Sequence, residues 1–306
     1  MRQSTHTQGT VRRLAVITAL TLWLTCPVQA QEAEWKRLNQ EAVALYSQGN
    51  YGQAVIIARQ ALSVAEKTFG PNHPAVATSL NNLAELYRNQ GRYAQAEPLL
   101  KRSLAIREKA LGADHPSVAT SLNNLAGLYY RQGQYAQAEP LLKRSLAILE
   151  KALGPDHPDV ALSLNNLAEL YNTQSQYAQA EPLLKRSLAI SEKALGPDHV
   201  DVATSLNNLA GLYRNQGQYA QAEPLLKRSL AISEKALGPD HPNVALSLNN
   251  LAELYRNQGQ YAQAEPLYKR SLAIWEKALG ADHPSVAQSL NNLAGLYYRQ
   301  GQYAQA

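Results

Sequence analysis

The chain has 306 residues, a formal net charge of +5 and one cysteine, so it contains no disulfide framework. Three arginines and no acidic residue lie in the first 30 residues, which leaves the rest of the chain with a net charge of only +2. No sustained basic stripe remains to hold a phosphate backbone, and we therefore expect no nucleic acid as a partner.

Residues 1–30 have the pattern of a secretory signal peptide. Three arginines form a basic start, an apolar run of 11 residues extends from Leu14 to Leu24, and Val28-Gln29-Ala30 is a small-x-small cleavage pattern. The run is too short for a transmembrane helix. We predict an exported protein, periplasmic or secreted, with no stable membrane insertion after cleavage. The alternative is that these residues form an uncleaved membrane anchor.

A 42-residue unit repeats from Ser79 onward with almost no change. A fixed period of this length predicts a solenoid, in which each unit buries its apolar face against its neighbours. The same set of side chains recurs in every copy, whereas an active site needs an asymmetric set, so we expect no enzyme and no cofactor. The copies occupy 79–120, 121–162, 163–204, 205–246 and 247–288, with a truncated copy at 289–306.

The segment 31–78 is an atypical first unit. Gln40 and Glu41 stand where Asn82 and Leu83 stand in the first regular copy. A more polar end unit is typical of a solenoid cap.

Each regular unit contains two helical patterns. Leu80, Leu83, Ala84 and Tyr87 recur at i, i+3, i+4 and i+7, which predicts one amphipathic helix. A second periodic run follows a glycine at the place of a helix C-terminus. In the second copy the two helices are predicted at about His115–Gln132 and Ala136–Leu153. The fold class is therefore all-α, an α-α superhelical solenoid of helical hairpins.

The run LAxLYxxQGxYAQAExLLKRSLAI and the connector EKALGxDHPxVA resemble the 42-residue tetratricopeptide (TPR) repeats of kinesin light chains and of similar bacterial arrays. The resemblance covers about residues 37–306. It implies a TPR solenoid in which the first helix of each hairpin lines an inner groove. It also implies a scaffold that binds an extended or helical segment of a protein partner, and not a small-molecule substrate.

A second hypothesis follows from the last copy, which is incomplete at Ala306. Bacterial arrays that resemble this one are often joined to caspase-like peptidase or signalling domains. The array is then expected to be the regulatory or docking arm of a larger protein whose enzymatic domain lies beyond residue 306.

A histidine recurs once in each unit, beside a proline in most of them. Equivalent histidines in neighbouring units are separated by a helix spacing of roughly 10 Å, too far to share a metal ion. We therefore expect a connector role and no metal site. The series is His73, His115, His157, His199, His241 and His283.

An asparagine pair recurs in every unit from the second onward, although asparagine is a mediocre helix former. Its amide has a donor and an acceptor, so it can bind the backbone of a peptide whatever the peptide's side chains are. An extended peptide would meet successive helices about every third residue. The alternative is that one asparagine of each pair bonds within the helix layer. We predict peptide contacts from the second asparagine of each pair: Asn82, Asn124, Asn166, Asn208, Asn250 and Asn292.

Side chains beside this asparagine ladder vary between units. We interpret Arg131, Arg214 and Arg299 as unpaired cations for acidic ligand side chains, and Tyr130 and Tyr298 as apolar contacts. Glutamates three residues before an arginine, at Glu85–Arg88 and Glu253–Arg256, are predicted to form ion pairs. Neutral drift on a solvated surface is an equally weighted alternative.

Two substitutions distinguish the copy 163–204. Ser175 replaces a helix-ending glycine and Val200 replaces a helix-starting proline. A left-handed residue other than glycine costs about 1 kcal/mol, so we predict that this copy is the least stable.

Overall fold

The computed structural model describes residues 29–305, so nearly all of the predicted signal peptide lies outside the described part of the chain. The described residues form thirteen helices and no strand, which confirms the all-α prediction. The bounds are α1 29–47, α2 Tyr51–Phe69, α3 Pro74–Asn89, α4 Tyr93–Leu111, α5 Pro116–Arg131, α6 Tyr135–Leu153, α7 Pro158–Thr173, α8 Tyr177–Leu195, α9 Val200–Asn215, α10 Tyr219–Leu237, α11 Pro242–Asn257, α12 Tyr261–Leu279 and α13 Pro284–Arg299.

The chain falls into two compact units, Met1–Ile148 and Leu149–Ala306. In the N-terminal unit, α3 packs against α2, α4 and α5. In the C-terminal unit, α7 to α13 form consecutive hairpins. Each helix there packs against the next, and the first helices of the hairpins also contact one another. Each unit is thus built as a solenoid of helical hairpins.

The predicted apolar stripes form the core. Leu80, Leu83, Ala84 and Tyr87 of α3 are all buried, and complete burial of one leucine stabilises a protein by about 1.5–3 kcal/mol. A buried serine ties the two helices of most hairpins together. Ser187 Oγ of α8, for example, donates to the carbonyl oxygen of Ala161 in α7 at 2.9 Å. The small side chain allows this close approach.

The recurring histidines cap the first helices. Nδ1 of His241 accepts a hydrogen bond of 3.1 Å from the backbone N–H of Asn243, and the other five histidines of the series make the equivalent bond. Such an acceptor satisfies one of the N–H groups left unpaired at a helix start. His199 caps α9 in the same way, so this helix begins at Val200 without the proline found in the other copies.

The ends of the first helices require left-handed backbone. Glycines occupy this position in most copies, but Ser175 adopts φ = +58° after α7 and is the one non-glycine residue with positive φ in residues 29–305. The conformation predicted for Ser175 is therefore confirmed, while the lower stability of its copy stays a prediction.

Candidate functional site

The first helices α7, α9, α11 and α13 lie side by side in the C-terminal unit, and we call the surface they form the first-helix face. A cavity of about 340 Å³ opens on this face. Asparagine amides from α7, α9 and α11 line it together with Thr204, Glu169 and Arg214. Leu184 and Leu226 of the second helices also line it. The cavity therefore offers polar groups for a backbone and apolar contacts in one place.

The predicted ladder asparagines fall into two groups. Asn208 and Asn250 line the cavity, and Asn124, Asn166, Asn208 and Asn250 make no side-chain hydrogen bond to any residue in 29–305. Asn82 and Asn292 instead donate to the first asparagine position of the preceding copy. The bonds are Asn82 to Asn39 Oδ1 at 2.9 Å and Asn292 to Asn249 Oδ1 at 2.8 Å.

The first asparagine of each pair was not among the predicted contacts. In Asn123, Asn165 and Asn207 the side-chain oxygen Oδ1 is buried and has no hydrogen-bond donor among the described residues. Asn165 and Asn207 line the cavity beside Asn208 and Asn250. A buried acceptor without a donor costs about 1–3 kcal/mol. The sequence contained an indication of this position, because the first asparagine of the pair recurs together with the second.

The arginines beside the ladder are mostly engaged. Arg88 forms an ion pair with Glu85, and Arg256 with Glu253 at 3.4 Å, as the i,i+3 spacing predicted. The interpretation of Arg214 as an unpaired cation is wrong, because its Nη1 forms an ion pair with Glu253 Oε2 on the next first helix. Its partner is 39 residues later and one hairpin away.

One of the glycines that alternate with glutamate next to the ladder lies against an arginine of the preceding copy in the N-terminal unit. A Cβ added to Gly127 of α5 would lie 3.1 Å from Nη1 of Arg88. A larger side chain here would require the Arg88 guanidinium, which pairs with Glu85, to shift by a few tenths of an ångström.

The remaining predicted contacts lie near helix C-termini. Arg131 and Arg299 are exposed. The ring of Tyr130 lies 5.7 Å from that of Tyr135, and the ring of Tyr298 lies 5.4 Å from that of Tyr303, measured between centroids. Tyr298 is 66% exposed and can contact a ligand.

Two exposed leucines were missed by the sequence analysis. Leu162 of α7 and Leu246 of α11 are 58% and 49% exposed, and Leu246 lines the cavity. Thr204 occupies the equivalent position of α9. The sequence could have indicated these exposed leucines, because threonine changes to leucine at one position of the repeat.

Glutamates on the second helices connect neighbouring hairpins. In the C-terminal unit, Tyr255 of α11 donates to Glu223 Oε1 of α10 at 3.1 Å. Lys227 lies 2.7 Å from the same oxygen. The Lys227 ammonium and the Tyr255 hydroxyl lower the pKa of the Glu223 carboxyl. These contacts stabilise the stack.

In the part of the chain covered by residues 29–305, no group of three or more His, Cys, Asp or Glu side chains could hold a metal ion. Among the same residues, no helix combines the length and apolar character needed to cross a membrane.

The stacked hairpins, the 42-residue period and the asparagine-bearing first helices define the chain as a tetratricopeptide repeat protein, a class that serves as protein–protein interaction scaffolds and is typically non-enzymatic. The chain belongs to the tetratricopeptide repeat family, whose model matches six overlapping segments. These are 37–109, 76–151, 117–193, 159–235, 201–273 and 244–306.

Solved structures identify the repeats as kinesin-light-chain-like. The chain is similar to the kinesin-light-chain-like protein of Podosopora anserina with nearly identical TPR-like repeats. That match has 34% identity and a TM-score of 0.56, and it covers 68% of this chain and 98% of that one. The chain is also similar to BtubC (BKLC) of P. vanneervenii, with 24% identity, a TM-score of 0.59 and coverage of 84% and 94%.

A more distant match shows the fold alone. A Rap protein complexed with Competence and Sporulation Factor is 17% identical with a TM-score of 0.59, and the match covers 89% of this chain and 76% of that one. No curated protein matches the chain.

Proposed function

We propose that the protein binds an extended or helical peptide segment of a protein partner on the first-helix face. One observation carries this proposal. The side-chain amides of Asn208 and Asn250 line the cavity and make no side-chain hydrogen bond to any residue in 29–305. Each amide has a donor and an acceptor, so it can bind a C=O or an N–H of a peptide backbone, and one such hydrogen bond contributes about 0.5–1.5 kcal/mol.

The exposed leucines support a contribution from ligand side chains. Leu162 and Leu246 lie on α7 and α11, two hairpins apart and therefore separated by roughly 20 Å at a helix spacing of about 8–10 Å. An extended segment of about six residues spans this distance. We expect apolar side chains at the two ends of such a segment, with amide contacts between them.

The test uses peptides selected from a random library against the purified protein. Replacement of Asn208 and Asn250 by alanine is expected to lower the affinity for the selected peptides at least tenfold, measured by fluorescence anisotropy. The matched control is Asn292→Ala, which changes the same repeat position where the amide already bonds to Asn249. Equal affinity of the double variant and the control would contradict the proposal.

We also propose that this scaffold acts outside the cytoplasm and has no catalytic activity of its own. The basic start, apolar run and cleavage pattern of residues 1–30 support export. N-terminal sequencing of the protein from the envelope or medium is expected to begin at Gln31. Full-length protein confined to the cytoplasmic fraction would contradict the export proposal.

A further inference from the structure

A buried arginine side chain fills the space between α3, α4 and α5 in the N-terminal unit. Arg107 of α4 is only 9% exposed. Its Nη1 donates to Ser121 Oγ at 2.9 Å and to the carbonyl oxygen of Ser117 at 3.1 Å. With the Asn81 amide in the orientation that satisfies its neighbours, Asn81 Oδ1 accepts from Nη1 and Nη2 of Arg107 at 3.0 and 3.2 Å. Three oxygens thus surround one guanidinium.

This guanidinium is held without a carboxylate. Arg107 forms no ion pair with any residue in 29–305, and burial lowers the pKa of its guanidinium. The neutral oxygens of a serine hydroxyl, a backbone carbonyl and an amide are therefore sufficient to retain a guanidinium at this place in the repeat.

Two copies later, no side chain fills the space that is equivalent to that of the Arg107 side chain. Ser191 stands where Arg107 stands, and Asn165 and Ser205 are the equivalents of Asn81 and Ser121. A cavity of about 230 Å³ lies between α7, α8 and α9 and is lined by Asn165, Ser191 and Ser205. Its volume follows from the smaller side chain, because a serine cannot fill the space that an arginine fills.

Polar residues line this cavity, which we call the Ser191 cavity. Oδ1 of Asn165 is buried and has no donor among the described residues. Ser191 and Ser205 are 5% and 2% exposed, and their hydroxyl oxygens lie 3.4 Å apart. A ligand with several N–H donors can therefore bond to these oxygens, and the hydroxyls can also donate.

The Ser191 cavity also has two carboxylates that the Arg107 site lacks. Asp159 and Asp201 line it, at the positions held by Ala75 and Ser117 in the N-terminal unit. Neither aspartate pairs with a lysine or arginine in residues 29–305. Their nearest basic atoms are Nδ1 of the capping histidines at 3.8 and 3.6 Å, and these atoms accept backbone N–H bonds. Both charges are thus available to a cation.

We infer that the Ser191 cavity binds the guanidinium group of an arginine side chain supplied by the protein partner. That the arginine comes from a protein partner rests on the proposed function. That the ligand is a guanidinium is inferred from the residues that line the cavity. A guanidinium has five N–H donors in a planar fork and can reach several oxygens at once, while a lysine ammonium is a point charge. The ligand is therefore an arginine, held by Asn165, the serine hydroxyls and the two aspartates.

The probe is N-acetyl-arginine amide, titrated into the purified full chain while backbone amide NMR signals are followed. We expect saturable shifts at Asp201 and Ser205, with N-acetyl-lysine amide at least tenfold weaker. Ser191→Arg, which copies the Arg107 arrangement into this cavity, should abolish binding of the probe. The control Trp275→Arg places an arginine at the equivalent position two copies later, where neither Asp159 nor Asp201 lies, and it should retain binding.

Three results would overturn the inference: no saturable shifts in the unmodified protein, equal affinity for the lysine probe, or equal binding by the two arginine variants. Circular dichroism checks that both variants fold. If Ser191→Arg does not fold, the double variant Asp159→Asn with Asp201→Asn replaces it, with an expected loss of at least tenfold. The Asn208→Ala, Asn250→Ala protein should still bind the arginine probe, so failure of the peptide-binding proposal is distinguishable from failure of this one.

Discussion

Arg214 of α9 forms an ion pair with Glu253 of α11, one hairpin further along the chain. Glu253 also lies 3.4 Å from Nη2 of Arg256 on its own helix. One carboxylate thus connects two half-buried guanidiniums on the first-helix face. Neighbouring hairpins are coupled through charge as well as through their apolar core.

Glu253→Gln should destabilise the protein by about 1 kcal/mol at low salt, because two arginines then lie close together without a carboxylate between them. The loss should become smaller in about 1 M NaCl, where surface charges are screened. Urea unfolding at the two salt concentrations measures both effects. Glu85→Gln is the control, since Glu85 pairs with the single arginine Arg88, and a larger loss in that variant would contradict the coupling.

Ser175→Gly should stabilise the protein by about 1 kcal/mol. Ser175 has φ = +58°, a conformation that costs a residue with a Cβ atom but not glycine. Ser175→Ala keeps a Cβ and should give no gain, so it is the matched control. Denaturant unfolding measures the stabilities. Hydrogen exchange should show that α7 and α8 open more readily than their neighbours, and protection equal to that of α9 and α10 would contradict this prediction.

Tyr268→Phe should stabilise the protein by about 1 kcal/mol. Tyr268 is completely buried, and its hydroxyl has no hydrogen-bond partner within the described chain. Burial raises the pKa of this hydroxyl to about 12. Removal of an unsatisfied buried hydroxyl removes its desolvation cost.

The control for Tyr268 is Tyr255→Phe, which deletes a hydroxyl that donates to Glu223. This variant should lose stability, by about 1 kcal/mol. Thermal unfolding of both variants checks the opposite signs. Destabilisation in both would show that the hydroxyl of Tyr268 has a partner after all.

The sequence predicted what depends on period and on local backbone. The bounds expected for α5 and α6 lie within one residue of those observed, because apolar periodicity and the glycine signals are local. The left-handed conformation of Ser175 was predictable for the same reason, since the other regular copies have glycine at the equivalent position.

Contacts between hairpins were not predictable in this way. Whether Arg214 reaches Glu253 depends on how far one hairpin is rotated relative to the next, which a repeat period does not specify. The same applies to the Asn292 amide, which turns to Asn249 while Asn250 makes no such bond within residues 29–305. The Ser191 cavity was not predictable from the sequence either, because only the packing of the helices shows that the small Ser191 side chain leaves a space unfilled.

Glu265 should make the stability depend on pH in the acid range. Its carboxyl pairs with Lys269 at 2.7 Å and accepts from the hydroxyl of Tyr297 at 3.2 Å. The Lys269 ammonium, with Tyr297, lowers the pKa of Glu265 below its ordinary value of 4.5. A carboxyl whose pKa is lowered by folding adds stability above its unfolded value, and this stability is lost as the pH falls through the folded value.

Glu265→Gln should therefore lower the melting temperature at pH 7, and its difference from the unmodified protein should shrink as the pH falls from about 4.5 toward about 2. The matched control is Glu276→Gln on the same helix α12, where the glutamate is exposed and forms no ion pair within residues 29–305. Thermal unfolding by circular dichroism across this range gives both differences. If the melting-temperature difference between Glu265→Gln and the unmodified protein stays constant with pH, the loss comes from packing and not from the charge of Glu265. That result would contradict the assigned role of Lys269.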